Sequence, residues 1–421
     1  MSHFGIAQLI KDIELMKIIA LVDPFTGGHH TAYIRIFSET LINLGYTVWA
    51  FVSPEEQLLQ WRNEQHPAWT EQNLLVVDYN ATTKHFRGFG RFNEAVSMAY
   101  RWWHLKKTIR VQEKTRGKKV SSVFFAWLDS YLTGYLVPTL LDTIFPYCWS
   151  GLYFHPRHMR LSVTALRATP AQSDVDIVLT AQNCQGIAVH DEGIICHFEQ
   201  RLHKRVVFFP EIADDHLPNH NNAIAQQIKS QARNRLIVGA IGLSRHQGLL
   251  TLLQVAQQAN SSRFFFVFVG ELDMSQYIEA ESTEVKTFFN DLPEHCFSYF
   301  GKLKEGEEYN SVFNAIDVPF LVYENFTSAS NRLTKAAIFE KPVLAQNKYC
   351  IGEDVKKYNL GIVVEEANTF QCLASLENLH RLVKIENMGN TVAGFKSYRD
   401  MHSPTVLRQS LEKMVLCKES N

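Results

Sequence analysis

The sequence predicts an α/β protein built from two doubly wound domains, each a parallel sheet wrapped by helices. Three observations carry that reading: continuous apolar runs rich in branched residues, a glycine-bearing turn after the first run of each half, and amphipathic segments between runs. Ile18 to Val22 leads into a turn with Gly27 and Gly28, a helix-spaced segment from Tyr33 to Leu44 closed by Gly45, and a second run from Thr47 to Val52. The pattern restarts later in the chain. Leu236 to Ala240 leads into a polar turn from Ile241 to Gly248, a helix from Leu249 to Ala259 and the run Phe264 to Gly270. A strand buried on both faces needs no polar alternation, and domains of this kind bind ligands beyond the carboxyl ends of their strands.

A chain of 421 residues exceeds one ordinary core and suits two domains. Apolar content of 46%, charged content of 20% and a formal net charge of −1 describe a soluble globular protein without an overall field for nucleic acid. No apolar run is long enough to span a membrane, and the N-terminus lacks a signal peptide's apolar core and cleavage site. Seven cysteines without a CxxC pair read as reduced thiols, so the expected location is the cytoplasm.

Taken in order, residues 1–15 form a short extension, and a first domain covers 16–210. Its further strands are expected at Leu74–Val77, Val123–Trp127, Ser150–Phe154, Asp176–Leu179, Gly186–Val189 and Val206–Phe209, with a long apolar helical stretch between Asp129 and Ile144. The glycine pair at 27 and 28 fits no dinucleotide spacing, so no nicotinamide cofactor is inferred. His155 follows a strand end, where this architecture places working side chains. Cys184, His190, Cys196 and His197 match no common zinc spacing, and adjacent Cys196 and His197 would point apart on a strand, so no metal is expected.

The segment from Lys84 to Lys119 changes character. It holds eleven Lys or Arg against Glu94 and Glu113, interleaved with Phe86, Phe89, Phe92, Tyr100, Trp102 and Trp103. One reading is a basic, aromatic helix on an anionic membrane surface; the other is a solvated basic face over a core filled by those rings. Nucleic acid fits the charges but no module signature accompanies them. Residues 211–235, polar and rich in Asn and Gln, read as a linker. A second domain at 236–402 adds strands at Cys296–Phe300 and Val318–Tyr323 with a helix at Glu307–Ile316 between them. A C-terminal helix at 403–421 starts at a Ser-Pro cap and suits packing back across the junction.

The stretch Val322–Ala345 runs strand end, small-residue loop (Thr327 to Ser330), amphipathic segment (Asn331 to Phe339), Lys341-Pro342 break, strand. Backbone N–H groups in such a loop, backed by a helix N-terminus, suit phosphate. An ordinary strand-to-helix turn with a Ser N-cap is the plain alternative.

With these landmarks in place, the chain from Met16 onward resembles the GT-B glycosyltransferases, in particular the retaining family 4. The resemblance rests on Val238-Gly239 with Arg245 and Gly248, Phe268-Val269-Gly270, Phe300-Gly301, Asp317-Val318-Pro319, Glu324 to Lys341-Pro342-Val343, Gly352-Glu353 and Gly361 to Val364. Pro210-Glu211-Ile212-Ala213-Asp214 is similar to the family's crossover segment. Two departures stand out. The family's pair of glutamates falls on Thr327 and Lys335, and its lysine beside Gly248 is Gln247. The resemblance implies two Rossmann-like domains facing across a cleft. It implies metal-independent transfer, with retention, of a hexosyl group from a nucleotide-sugar to a glycan, lipid-linked or small-molecule acceptor. Polysaccharide synthesis on the inner face of a membrane is the matching setting, with no cofactor beyond the donor. His155, Arg245, Lys335 and Glu324 are the implied catalytic residues. Gly27, Gly28, His29, Gly242, His246, Thr327, Ser328, Ser330, Asn331 and Arg332 are the implied donor-binding ones. Two alternatives accompany this reading: an impaired GT-B homologue serving as a binding or scaffold subunit, and a nucleotide-sugar epimerase.

Overall fold

The computed structural model describes residues 17–25, 29–81, 93–156, 159–160, 175–384 and 389–415. The chain divides into two compact units, Met1–Phe209 with Pro404–Asn421, and Pro210–Ser403.

Among its described residues the first unit holds seven parallel strands: β1 (Ile18–Asp23), β2 (Thr47–Val52), β3 (Leu74–Asp78), β4 (Val120–Phe125), β5 (Trp149–Leu152), β6 (Cys184–Val189) and β7 (Arg205–Phe208). Their spatial order is β3-β2-β1-β4-β5-β6-β7. Every residue of β1 is buried, which is why its sequence shows no alternation. The order reverses between β1 and β4, and the carboxyl ends of those two strands therefore flank a topological switch point. Among the described residues the connecting α-helices are α1 (His29–Asn43), α2 (Glu56–Gln65), α3 (Asn93–Arg116), α4 (Pro138–Ile144) and α5 (Ile195–Leu202). Beneath α3 the fully buried Trp102 ring meets Phe125, Tyr131, Phe145 and Trp149 at centroid distances of 5.1, 5.1, 5.0 and 5.1 Å. Edge-on and tilted aromatic contacts of this kind fill the space between helix and sheet.

Helix α1 ends as the sequence implies. The Gly45 N–H donates to the Ile42 carbonyl at 2.9 Å and the Tyr46 N–H to the Leu41 carbonyl at 3.1 Å, closing a Schellman turn with Gly45 at φ +88°. A Cβ at Gly45 would meet nothing within 4 Å, so only the backbone conformation resists a side chain there. Gly45→Ala is expected to lower stability by about 1 kcal/mol, measured by chemical denaturation.

Three local readings are corrected by the structure. Asp176–Leu179 is no strand: Val175–Thr180 is a 3-10 helix, because an apolar run of that length satisfies either form and its neighbours decide. The stretch from Asp129 to Ile144 is not one helix but a 3-10 turn at Leu128–Tyr131 and the short α4, which begins at Pro138. Cys196 and His197 lie on α5 rather than on a strand.

Among its described residues the second unit holds six parallel strands: β8 (Leu236–Leu243), β9 (Phe264–Leu272), β10 (Cys296–Tyr299), β11 (Val318–Leu321), β12 (Val343–Gln346) and β13 (Gly361–Val364), ordered β10-β9-β8-β11-β12-β13. Its switch point lies between β8 and β11. The helices are α6 (Ala223–Ala232), α7 (Leu249–Gln258), α8 (Glu279–Asn290), α9 (Glu307–Ala315), α10 (Asn331–Ile338), α11 (Tyr349–Tyr358), α12 (Thr369–Lys384) and α13 (Gly389–Met401). Helix α6 occupies part of the stretch read from composition as linker. The Asn222 side chain caps it by accepting from the Ala225 N–H at 2.9 Å, and Ala225, Ile228 and Ala232 bury one narrow stripe. A last helix, α14 (Pro404–Val415), belongs to the first unit. It buries Leu407, Leu411 and Met414, and the Met414 carbonyl accepts from Ser150 Oγ at 3.3 Å. Among the described residues no helix is long and apolar enough to cross a membrane.

Candidate functional site

In the second unit the switch point gathers residues far apart in sequence. After β8 the chain turns through Arg245–Gln247 to Gly248 at φ +76°. A Cβ on Gly248 would lie 2.0 Å from the Val322 carbonyl oxygen, so only glycine lets this turn touch the chain leaving β11. The Glu324 N–H donates to the His246 carbonyl at 2.9 Å. That backbone contact sets the side chains. Arg245 Nη1 donates to Glu324 at 3.1 Å, while its Nε and Nη2 grip Glu281, at the start of α8, at 3.0 and 2.9 Å.

The two carboxylates differ. Hydrogen bonding from Arg245 holds the Glu281 carboxyl below its ordinary value. Burial pushes Glu324 up, and the Arg245 charge offsets that only in part. Close by, Tyr277, whose hydroxyl burial also pushes up, and Glu366 carry buried atoms with no hydrogen-bond partner among the described residues, the Tyr277 hydroxyl and one Glu366 oxygen. The other Glu366 oxygen accepts from the Asn325 N–H at 3.2 Å. Buried polar atoms of this kind suit a ligand bearing many hydroxyls. The sequence reading missed Glu281, Tyr277 and Glu366. Glu281 alone left a trace, since it stands three residues beyond Ile278 and accepts from that residue's N–H as the acid of a helix cap.

The remaining expected donor residues separate into groups. His246 Nδ1 lies 3.1 Å from Ser244 Oγ and 3.2 Å from Gln276 Oε1, with its ring parallel to Phe326. Gly242, at φ +102°, makes room for Arg332, whose guanidinium would collide with a Cβ at 2.4 Å. Arg332 donates to the Tyr323 hydroxyl at 2.8 Å. Gln247, oriented with its amide oxygen toward Arg332, accepts from it at 2.9 and 3.0 Å. Arg332 is thus committed inside the domain. Thr327, Ser328 and Ser330 are buried, and Asn331 Nδ2 donates to Glu211 at 3.3 Å and to the Ile212 carbonyl at 3.2 Å.

Lys335, which the sequence offers for the donor phosphates, is only 1% exposed. Its ammonium donates to Asn310 Oδ1 at 2.6 Å and to the Asp214 carbonyl at 3.0 Å, and it lies 4.9 Å from the centre of the Tyr309 ring. Burial lowers its pKa, opposed by the Asp214 charge. Four residues beyond Asn331, it sits on the same face of α10, and that face turns inward toward residues 211–214.

In the first unit Gly27, Gly28 and the side chain of His29 lie outside the described residues. His155 is placed at the end of β5, where the Asp129 carboxylate accepts from the backbone N–H groups of Phe154 and His155 at 2.7 and 2.8 Å. Its ring nitrogen stands 3.5 Å from the same carboxylate. The structure adds a tighter pair that the sequence reading passed over. His30 Nδ1 lies 3.1 and 3.0 Å from the two oxygens of Asp23, which is 1% exposed and whose carboxyl burial raises despite the histidine. The Trp127 ring lies tilted beside both histidines, its centroid 4.2 Å from that of His30 and 5.3 Å from that of His155. A histidine held through Nδ1 presents Nε2 to exchange a proton or hydrogen bond with a hydroxyl. The available signal was position: Asp23 closes the first buried strand.

Among the described residues no group of three or more His, Cys, Asp or Glu is placed to hold a metal ion. No protein-family model matches the sequence, and no curated protein does. Solved structures match over nearly the whole chain. Sucrose-phosphate synthase from Thermosynechococcus elongatus is 14% identical with a TM-score of 0.62, covering 94% of this chain and 98% of its own. Anabaena HepE, solved in complex with UDP and glucose, is 14% identical with a TM-score of 0.61, covering 95% and 99%. An α,α-trehalose-phosphate synthase (UDP-forming) from Burkholderia vietnamiensis is 10% identical with a TM-score of 0.63, covering 95% and 97%. The chain has the GT-B fold of these glycosyltransferases, with two Rossmann-like domains.

Proposed function

We propose that this chain, with its GT-B fold, is a metal-independent glycosyltransferase that moves a hexosyl group from a nucleotide-sugar to a glycan, lipid-linked or small-molecule acceptor. The observation that carries the reading is the Arg245–Glu324 pair at the switch point of the second sheet, which sets a cation beside a half-buried carboxyl where an α/β domain binds ligands. A leaving nucleotide diphosphate gathers negative charge, and a fixed guanidinium with a helix N-terminus stabilises it without a metal. Arg245 takes that part, aided by His246 and the N-terminus of α10 with its Thr327, Ser328 and Ser330 loop. Glu324 accepts hydrogen bonds from hydroxyls of the sugar or ribose, with Tyr277 and Glu366 alongside. Gly27, Gly28, His29, His155 and His30 serve the acceptor side. Gly242 with Arg332, and Asn331 with Lys335, act at one remove by fixing the loops. The HepE complex with UDP and glucose, on the same fold, supports a nucleotide-sugar as the donor. Retention at the anomeric carbon is the stereochemistry we assign, read by NMR of the product.

A second reading has its own observation. Both edges of the Arg245 guanidinium are held by carboxylates, so a phosphate must displace one of them, as expected of an impaired homologue that only binds or scaffolds. Calorimetry across a panel of UDP-, GDP- and ADP-sugars, followed by product analysis, separates the cases. Binding with transfer supports the enzyme; no binding favours the scaffold; turnover without an acceptor indicates an epimerase. Glu324→Gln is expected to lower transfer by roughly tenfold, the worth of one hydrogen bond to a charged group. Transfer at the wild-type rate would remove Glu324 from the site.

A further inference from the structure

At the amino ends of β6 and β7 the first unit carries a cavity of about 690 Å³, walled by those strand ends, the end of α5 and the last turn of α14. The strands are parallel, so this is the face opposite the carboxyl ends that carry Asp23 and His155. Its charge is mostly of one sign. Lys204, Arg205 and Lys413 bring three cations against the single carboxylate of Glu199, with His203 and Gln182 beside them, in a chain whose formal charge is −1. A recess lined in this way concentrates a positive field.

The fold gathers these residues locally. His203, in the left-handed region at φ +52°, closes α5 by donating its N–H to the Glu199 carbonyl at 2.9 Å, and the chain turns into β7. Lys204 points inward, donating to the Ala181 carbonyl and, at 2.7 Å, to the Cys184 carbonyl. Arg205 Nη1 donates to the Lys413 carbonyl, as a basic residue does near a helix C-terminus. Those bonds use two of the three N–H groups of Lys204 and one of the five of Arg205. The rest are spare: among the described residues Lys204, Arg205 and Lys413 form no ion pair, and the side chains of Lys413, His203 and Gln182 make no hydrogen bond. Capping carbonyls calls for N–H donors, and three cations against one acid exceed that need.

We infer that this cavity binds a phosphorylated small molecule, with Arg205 and Lys413 holding the phosphate between β7 and α14. The free edge of a guanidinium matches two phosphate oxygens at once, Lys413 adds a point charge, and Lys204 offers its third N–H. Gln182 and Gln185 suit hydroxyls on the group that the phosphate carries, and Met414 supplies a short apolar wall. Size selects this class of ligand, because small-molecule sites run from about 300 to 1,000 Å³. A nucleic-acid strand would need cations strung along a groove, whereas these converge on one recess. The inference rests on this cavity alone, independently of the glycosyl-transfer reading.

The full chain is titrated by calorimetry with ribose 5-phosphate, inorganic phosphate and ribose. The expected result is that ribose 5-phosphate binds most tightly, inorganic phosphate more weakly and ribose not at all, with affinity falling as salt screens the charges. Binding of ribose 5-phosphate persists in Arg245→Ala, which removes the cation of the second unit's site. Adding Lys413→Glu to that variant lowers the affinity by at least about tenfold. The melting temperature stays unchanged, since Lys413 is exposed and Arg205 uses its backbone carbonyl, not its side chain. Lys413→Arg in the same background retains the affinity. The proposal is overturned if the wild type binds no ribose 5-phosphate, if ribose binds as well, or if Arg245→Ala abolishes the binding. It is equally overturned if the folded double variant binds as Arg245→Ala does.

Discussion

Arg245→Ala is expected to lower glycosyl transfer by about two orders of magnitude, the scale seen when one preorganised donor to a developing charge is lost. The guanidinium makes four hydrogen bonds at once, three to Glu281 and one to Glu324, and it does so from a turn fixed against the chain leaving β11. Alanine removes the cation and leaves two carboxylates side by side, which disfavours an incoming diphosphate further. Arg245→Lys restores a charge but not the planar fork, so partial recovery is expected. Glu281→Gln is the informative companion, because it loosens the grip on Arg245 while keeping the cation, and tighter nucleotide binding is the expected outcome. Steady-state kcat/KM for the three variants, with calorimetric nucleotide binding, checks these statements. Wild-type transfer by Arg245→Ala would place the phosphate-binding cation elsewhere.

Lys335→Ala is expected to destabilise the second unit by about 3 kcal/mol, adding a lost buried stem to unsatisfied acceptors. The acceptors are Asn310 Oδ1 and the Asp214 carbonyl, and Asn310 is itself fully buried. Lys335→Met keeps most of the volume and should recover the packing share but not the polar one. Urea denaturation of the full chain, followed at the transition of this unit, provides the measurement. Loss of nucleotide affinity in Lys335→Ala without loss of stability would return the residue to the phosphates.

The two lysine-or-arginine assignments show where sequence reasoning reached and where it stopped. The sequence offers Arg245 as the basic residue before Gly248, and Lys335 as the residue standing where the resembled family has a glutamate. The structure sends one to the carboxyl ends of the strands and the other beneath α10, because the helix face at Asn331 and Lys335 turns toward residues 211–214. Composition likewise hid α6, whose three buried residues are too few to raise the apolar average of an Asn- and Gln-rich stretch. The His30–Asp23 pair is invisible in sequence for a related reason: the turn's local signal lies in its glycines, while the pair joins residues on either side of it.

By itself the sequence determined the secondary framework. Runs such as Ile18–Val22 and Phe264–Gly270 are apolar on both faces, and glycine turns with amphipathic helices between them admit little except parallel, doubly wound sheets. Those signals are local, set by the two-residue and 3.6-residue periods of the backbone, and they survive without knowledge of partners. Tertiary structure alone decided the pairings: Arg245 with Glu281 and Glu324, 36 and 79 residues away, and Lys335 with Asp214, 121 residues away. Which strand ends abut, and which helix face turns inward, depends on packing across the whole sheet. That is also why the same Val175–Thr180 run could serve as strand or 3-10 helix until its neighbours were in place.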